Sequence, residues 1–469
     1  MNGNGHVSGN GHHPGRAQRA QEGRAVRAEV PVSAHAATGF ESDRDPIGLL
    51  MGQAESRVPE LVPVRHARMA VSPFTYFRGA ALPMAADLAR APRSGLDVQL
   101  CGDAHLSNFG AFASPERRLV FDCNDFDETL PGPFEWDVKR LAASLVIAAR
   151  DNGFKRKQRK DIVRAGVEAY RNNIRAFGEQ GRLAVWYAHL DVSEALNRFR
   201  DQIRPKAYSE TTTVLAKARG KDSMQALEKL TTVVDGRRQI ISEPPTIVPI
   251  EDVFNDLEAD VIYQLIGNVI ETYQRSLPTD RRHLLHQFEL VQVARKVVGV
   301  GSVGTRAWIV LLETADGEPL FLQAKEAQKS VLARYAGASR YRNQGERVVA
   351  GQHLMQALSD IFLGWTRVNA PDGATRDFYV RQLRDWKFSA PIERMRPEGL
   401  ALYARMCGWT LARAHARSGD PVAIGAYLGG SDRFEKAITA YAEDYADQNE
   451  QDYAAFCAHV KDQLVGVSP

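Results

Sequence analysis

The feature that most constrains this fold is one strand-rich block set inside an otherwise mainly helical sequence. Helical periodicity covers residues 157–200 and returns over residues 399–460. Between about residues 288 and 385 the pattern changes to β-strands, with a turn at Asp316–Gly317. The sequence therefore predicts an α+β protein in which a small antiparallel sheet lies between two pieces of one helical unit.

A chain of 469 residues exceeds the size of one hydrophobic core, which stops growing near ~250–300 residues, so we expect two lobes. The first forty residues are rich in Gly, His and Arg and lack periodicity, which predicts disorder. The expected segments are a disordered tail (1–40), a first helical part with the acidic loops (41–200), a helical connection or insertion (201–285), a β-rich unit with a glycine-rich loop (286–385) and a second helical part (386–469).

Composition narrows the class of protein. The formal net charge is +3 and no basic stripe carries interleaved aromatics, so we expect no nucleic-acid partner. No apolar run approaches the ~20 residues needed to cross a bilayer, so we expect no membrane association. Cys101, Cys123, Cys407 and Cys457 form no CxxC pair, which predicts reduced thiols and a cytoplasmic location.

The strongest chemical signal is a pair of acidic loops that follow short strands. Asp103 precedes Asn108 by five residues in "CGDAHLSN", and Asp125 follows in "NDFDE". Phosphoryl transfer requires a carboxylate that orients or deprotonates the attacking hydroxyl, and oxygen ligands for Mg²⁺. Asp and Asn side chains supply hard oxygen donors of that kind. The pattern predicts Asp103 as the base, with Asn108 and Asp125 as metal ligands.

These loops resemble those of aminoglycoside phosphotransferases, choline kinases and related small-molecule kinases. "CGDAHLSN" is similar to their HGDxHxxN loop, with Cys101 where the family usually has His, and "NDFDE" is similar to their IDFDD segment. The family's next Asp corresponds to Asp137 in "EWDVKRLA", which we expect to cap its helix and brace the catalytic loop. The resemblance implies a supporting role for His105.

Two further carboxylates in this region are candidates. The register "FDCND" would make Asp122 the metal ligand, but only Asp125 also gives the spacing to Asp137. Asp127, within "NDFDE", is a lower-ranked candidate.

A second constellation begins with the GxGxxG formed by Gly299, Gly301 and Gly304. The strand "TRAWIVLLE" follows it, which favours a β-hairpin over nucleotide phosphates rather than a Rossmann turn. Lys325 lies on the next strand and Glu346 in the following helix. This resembles the kinase pairing in which a helix Glu holds a strand Lys toward the phosphates of ATP.

The segments occur in an unusual order, because the acidic loops precede the glycine-rich loop by about 200 residues. "CGWTLARAHARSGD" is similar to the helix that precedes the catalytic loop in small-molecule kinases, yet it lies near the C-terminus. Within it, we interpret Asp420 as a helix-end residue. The resemblance therefore implies a bilobal protein-kinase-like fold, circularly permuted.

From about residue 60 the chain also resembles an uncharacterised bacterial family, domain of unknown function 2252. The similar segments are "SPFTYFRGAA", "CGDAHLSNFG", "NDFDETLPGPFEWDVKRLAAS" and "LARAHARSGD". Arg78, in the first of these, could reach the active site or pair at the surface.

Three functions are consistent with these patterns. The first is an ATP- and Mg²⁺-dependent phosphotransferase acting on a hydroxyl acceptor, expected to be a small molecule. The second is a nucleotide-binding regulatory module, a pseudokinase without transfer. The third is a metal-dependent hydrolase that uses Asp103, His105, Asp122 and Asp125.

Overall fold

The computed structural model describes residues 14–198, 200, 212–213, 215, 223–297, 299–370, 372–383, 386, 388–464 and 466–467. The α-helices of the described part are α1 Arg16–Glu29, α2 Pro46–Ala54, α3 Val62–Met69, α4 Pro73–Gly79, α5 Ala81–Arg90, α6 Phe134–Asp151, α7 Arg156–Glu179, α8 Arg182–Tyr187, α9 Val192–Arg198, α10 Ser223–Leu230, α11 Ile250–Val253, α12 Ala259–Gln274, α13 Thr279–Leu285, α14 Ala333–Ala336, α15 Gln344–Met355, α16 Pro397–Ser418, α17 Pro421–Leu428 and α18 Arg433–Val460. The strands are β1 Asp97–Leu100, β2 Phe109–Ala113, β3 Leu119–Cys123, β4 Leu130–Pro133, β5 Leu190–Asp191, β6 Thr231–Val234, β7 Arg237–Ile240, β8 Ile247–Pro249, β9 Glu289–Lys296, β10 Ala307–Glu313, β11 Pro319–Ala327, β12 Gly364–Asn369 and β13 Thr375–Gln382. The protein is thus a mixed α+β structure with small antiparallel sheets, as the sequence predicted.

The largest sheet has six antiparallel strands in the order β12-β13-β11-β10-β9-β8. Its register places Lys325 of β11 opposite Ala307 of β10 and Tyr379 of β13. Alternation along β11 puts Phe321 and Lys325 on one face and Leu322 and Ala324 on the other. The helix α15 follows β11 and packs against β12 and β13.

The helical part has its core between α6, α7, α16 and α18. The helices α7 and α16 pack closely, and their backbones meet at Gly166 and Gly408. A Cβ added at Gly408 would lie 2.1 Å from the carbonyl oxygen of Gly166, so the crossing requires glycine there. This packing places the C-terminal end of α16 beside β1, where Ser418 Oγ accepts a hydrogen bond from the backbone N–H of Gln99 at 3.2 Å.

The predicted disorder of residues 1–40 is wrong for the part of that segment that the structure describes. Residues 16–29 form α1, which packs on α17 with Gly23 against the backbone of Ala423. His35 is fully buried and makes a 2.7 Å hydrogen bond with the Tyr427 hydroxyl. Tertiary contacts order a segment whose composition and weak periodicity indicated none. Residues 1–13 lie outside the described residues.

The connection at 201–285 also differs from the prediction, because its described residues are not purely helical. A hairpin of β6 and β7 follows α10, and β8 adds an edge strand to the six-stranded sheet by pairing with β9. The helix α10 buries Ala226 and Leu227 against the sheet face that carries Phe321. Within the described residues, no helix combines the length and the apolar character that crossing a membrane requires.

Candidate functional site

One cavity of about 600 Å³ brings together the two constellations that the sequence singled out. Asp103, Asn108 and Asp125 line it from the loops after β1 and β3. Gly299 and Gly301 line it from the loop between β9 and β10. Residues separated by about 200 positions in sequence therefore share one site.

Asp103 is held by an arginine and faces a neutral histidine. The guanidinium of Arg140, on α6, lies 2.7 Å from Asp103 Oδ1 through Nη2 and 2.8 Å through Nε. His105 Nε2 lies 3.7 Å from Asp103 Oδ2, and burial lowers the pKa of His105 well below its usual value. Burial raises the pKa of Asp103, and the positive charge of Arg140 counteracts the rise only in part. Asp103 is therefore a carboxylate whose proton affinity is increased, as a general base requires.

The loop that carries Asp103 is fixed by its backbone. Gly102 has φ of 87° and an added Cβ would lie 2.3 Å from the carbonyl oxygen of Glu128, so only glycine fits. Asp137 accepts hydrogen bonds from the backbone N–H of Cys101 at 2.8 Å and of Gly102 at 3.1 Å. The buried His415 lies 3.3 Å from the same carboxylate. The prediction that Asp137 braces this loop therefore agrees with the geometry.

The second role predicted for Asp137, capping its own helix, is wrong. The helix α6 begins at Phe134 with Pro133 as its N-cap, so Asp137 lies inside the first turn. Its carboxylate is used by the neighbouring loop instead. A resemblance in spacing could not distinguish a residue that caps its own helix from one that lies four positions past the cap and braces a neighbouring loop.

Asn108 and Asp125 stand where the sequence placed the metal ligands. The side-chain amide of Asn108 donates to the carbonyl oxygen of Asp103 at 2.8 Å, so its side-chain oxygen is the atom that can serve a cation. Burial raises the pKa of Asp125, and the charge of Asp127 adds to the rise. Burial also acts on Asp127, but Lys325, Tyr379 and Arg381 outweigh it and lower its pKa.

Lys325 pairs with Asp127 rather than with Glu346. Lys325 Nζ lies 3.3 Å from Asp127 Oδ2, and the Tyr379 hydroxyl donates to Asp127 Oδ1 at 2.5 Å. Glu346 is in the first turn of α15, where its backbone N–H donates to Asn343. Among the described ion pairs, none joins Glu346 to Lys325.

The residue next to Glu346 makes the contacts that link α15 to the acidic loops. Arg347 is buried and its guanidinium donates to the carbonyl oxygens of Asp127, Thr129 and Gln328. The hydrogen bonds from the Arg347 guanidinium to the backbone therefore hold α15 against the acidic segment.

The glycine-rich loop is docked on helices near the N-terminus. Val300 and Val303 are buried among side chains of residues 47–80 and the C-terminal helix. The backbone N–H of Val58 donates to the carbonyl oxygen of Gly304 at 2.8 Å. Gly304, with φ of 87°, packs on the side chain of Arg57 and is not part of the cavity wall.

Asp122 and Asp420 both have structural partners. Asp122 lies in β3, where its carboxylate accepts from Arg413 Nη2 at 2.5 Å and from the N–H of Cys123 at 2.8 Å. It does not line the cavity, so the register that uses Asp125 is the one that reaches it. Asp420 caps α17 by accepting from Val422 and Ala423.

Sequence reasoning identified Arg78 as a candidate but missed two other arginines and a carboxylate. Arg57, Arg65 and Glu128 line the cavity together with Arg78. Burial raises the pKa of Glu128 to about 7. The sequence offered one signal for Arg65. Arg65 and His66 are adjacent basic residues in α3 and both are buried, and a buried basic residue suggests a polar site.

The described residues contain no group of three or more His, Cys, Asp or Glu side chains able to hold a metal ion unaided. Mg²⁺ is usually bound by one or two carboxylates together with substrate phosphates. Asn108 and Asp125 fit that incomplete ligand set, whereas a tightly held transition-metal centre needs more protein ligands.

Comparison with known proteins gives one family. A family described as an uncharacterized protein conserved in bacteria (DUF2252) matches residues 57–459. A search of curated proteins and a search of solved structures each returned no match.

Proposed function

Because this chain belongs to DUF2252, a bacterial family without an assigned activity, its chemistry must be inferred from the cavity. We propose that it is an ATP- and Mg²⁺-dependent phosphotransferase that acts on a hydroxyl acceptor, a small molecule. The fold we propose is bilobal and protein-kinase-like, with circularly permuted segments.

One observation carries the proposal. Asp103, Asn108 and Asp125 line the same cavity as Gly299 and Gly301, although nothing in the chain order requires the two regions to meet. These are the residue types that phosphoryl transfer uses: a base, oxygen ligands for Mg²⁺ and backbone that approaches phosphates.

The arrangement of the sheet supports the proposed fold. The glycine-rich loop joins β9 to β10, and Lys325 lies on β11, the third strand counted from β9. Protein kinases likewise carry their phosphate-binding Lys on the third strand, counted from the strand that precedes such a loop. The contact between Ser418 and Gln99 supports the permutation, because it places the end of α16 beside the strand that leads into the acidic loop.

The side chains that line the cavity are of the kinds that bind phosphates and Mg²⁺. The buried Nε atoms of Arg57, Arg65 and Arg78, and Nη1 of Arg65, have no hydrogen-bond partner in the described part of the chain. They provide positive charge for a phosphate chain, while Asn108 and Asp125 would hold Mg²⁺. When bound, Mg-ATP supplies the transferable phosphoryl group and the metal charge that stabilises it.

The protein's own groups would prepare the acceptor. Asp103 orients the acceptor hydroxyl and takes its proton at a carboxylate oxygen, while Arg140 fixes that carboxylate in position. Asp137 and Gly102 set the loop geometry, and the neutral His105 supports the loop without carrying charge. Lys325 does not itself line the cavity, but it pairs with Asp127, which does.

The test is ATP turnover by Asp103→Asn and Asp125→Asn. We expect each to lower turnover by about 10²–10⁴-fold, the range typical of lost acid–base or electrostatic groups. Asp161→Asn, on the exposed surface of α7, is the matched control and should be unchanged. Turnover that survives both cavity substitutions would refute the assignment.

A nucleotide-binding module without transfer is the second candidate, and one observation favours it. Lys325 is paired with Asp127 rather than with Glu346, so the kinase-type pair is not formed. This candidate predicts a nucleotide-induced rise in Tm without phosphorylated product for any hydroxyl acceptor offered. Mass spectrometry of the acceptor pool separates the two functions.

A further inference from the structure

Three arginines form one wall of the cavity. Arg57 and Arg65 are 6% and 0% exposed, and Arg78 is partly buried. They come from the segment between α2 and α4, outside the six-stranded sheet and outside the acidic loops. All three line the cavity that Asp103 lines.

These arginines are unusual because none has a carboxylate partner. Among the other buried arginines, Arg140, Arg171 and Arg413 are each paired with a carboxylate, for example Arg171 with Glu435 at 2.5 Å. The buried Arg347 has no such pair either, but its guanidinium donates to three backbone carbonyl oxygens. In the described part of the chain, no ion pair within 4.0 Å involves any of the three cavity arginines. Their positive charges are therefore available to a ligand.

Their hydrogen-bonding capacity is also incompletely used. Arg57 donates to the carbonyl oxygen of Val303, and Arg65 donates to that of Gly79 at 2.9 Å. The Nε of each of the three, and Nη1 of Arg65, are buried without a partner among the described residues.

Keeping such groups without a ligand is costly, because a buried cation that is neither paired nor fully hydrogen-bonded destabilises the fold. Burial lowers the pKa of all three guanidinium groups, and that of Arg57 falls to about 10. Arg78 is the one that feels the charges of both Asp103 and Asp125. An anion bound beside the acidic loops would offset this cost.

We propose that Arg57, Arg65 and Arg78 form a phosphate-binding site within the cavity, next to Asp103. A phosphate group offers three oxygens and nearly two negative charges to three guanidinium groups, whereas a carboxylate offers two oxygens and one charge. The site does not include Lys325, and it adjoins the glycine-rich loop through the contacts of Arg57 with Val303 and Gly304. The inference rests on the proposed function and extends it. The phosphate is either part of the nucleotide or carried by the acceptor.

The experiment is calorimetric titration of the full chain with inorganic phosphate, pyrophosphate and tripolyphosphate, without Mg²⁺. We expect binding that weakens roughly 10- to 100-fold in Arg78→Met and in Arg65→Lys, as loss of charge-assisted hydrogen bonds implies. Arg24→Met, an exposed arginine of α1, is the matched control and should bind like the unmodified protein.

A stability measurement distinguishes a ligand site from a structural role. Because the described residues give Arg78 no ion pair and leave its Nε without a hydrogen-bond partner, Arg78→Met should keep or raise the Tm of the ligand-free protein. The same variant should abolish the rise in Tm that tripolyphosphate produces. A structural arginine would instead lower the ligand-free Tm. A lowered Tm, or unchanged affinity for all three anions in folded variants, would overturn the proposal.

Two further arms identify the source of the phosphate. If the site holds the nucleotide's phosphates, Arg78→Met weakens ATP and tripolyphosphate binding equally and leaves adenosine binding unchanged. If it holds the acceptor's phosphate, the variant binds ATP normally but loses inorganic phosphate binding at saturating ATP. If the unmodified protein binds the anions but does not turn over ATP, the phosphotransferase assignment alone is refuted. If the protein turns over ATP and the arginine variants bind the anions normally, this site alone is refuted.

Discussion

The ion pair between Lys325 and Asp127 joins the sheet to the acidic loop, and breaking it tests whether the two regions meet in solution. Lys325 is 5% exposed, and the Asp127 side chain is 30% exposed. Removing one member of a fully buried pair costs about 3–5 kcal/mol. Because Asp127 is partly exposed and keeps the Tyr379 hydroxyl, we expect about 2–3 kcal/mol for Lys325→Met.

A double-mutant cycle isolates the pair. Lys325→Met with Asp127→Asn removes both charges, so the double variant should be more stable than the sum of the single losses predicts, with a coupling of about 1–2 kcal/mol. The assay is urea unfolding followed by tryptophan fluorescence, with m-values compared across variants. The same cycle at the exposed pair Lys436–Asp432 should give below about 0.5 kcal/mol.

The contribution of this ion pair to stability should change with pH in a definite direction. The pKa of Asp127 is lowered in the folded protein, so its stabilisation is present above the unfolded value near ~3.9 and is lost as pH falls through the folded value. Removing Lys325 takes away one of the groups that oppose the effect of burial, so the pKa of Asp127 should be higher in Lys325→Met than in the unmodified protein. The stability deficit of this variant should therefore be largest near neutral pH and shrink toward about pH 4. A coupling no larger than that of the surface pair would refute the contact.

The remaining predictions concern the loop, a cavity carboxylate and the metal. Gly102→Ala should lower the free energy of unfolding in urea more than Gly95→Ala does. Both glycines have positive φ, which costs an alanine about 1 kcal/mol or more, but only at Gly102 would an added Cβ lie 2.3 Å from another atom. Equal losses of stability would contradict the close approach. The pKa of Glu128 is raised from 4.5 to about 7, so the folded state binds more protons and stability should fall as pH rises through that window; Glu128→Gln should flatten this slope, and an unchanged slope would exclude Glu128 as its source. Mg²⁺ alone should leave the Tm nearly unchanged and should raise it together with ATP, because the described residues lack a complete metal site; a large shift with Mg²⁺ alone would argue for a resident metal.

The sequence predicted the α+β class and the convergence of two distant motifs, because both rest on local signals. Residue spacing places Asp103, Asn108 and Asp125 at the ends of short strands, and the strand pattern after Gly304 indicates a hairpin. The fold class needed only periodicity, whereas the expectation that the two motifs share one site came from their resemblance to the loops of small-molecule kinases.

What the sequence could not supply depends on long-range packing. The partner of Lys325 is decided by which acidic side chain reaches β11 in three dimensions, and Asp127 is 198 residues away. The order of residues 16–36 comes from contacts with α17 and α18, which local composition cannot report. Arg57 and Arg65 are ordinary residues in sequence and become distinctive only in the fold, where they are buried at the cavity without an ion pair to any described carboxylate.

The order of segments along the chain has a consequence for synthesis. Asp127 leaves the ribosome 198 residues before Lys325, which at about 5–20 residues per second is a delay of roughly 10–40 s. The delay between the synthesis of α7 and that of α16, against which it packs, is longer still. A nascent chain paused between them exposes the apolar face of α7 and an unneutralised acidic loop, so co-translational protection of the first half is a requirement that this architecture imposes.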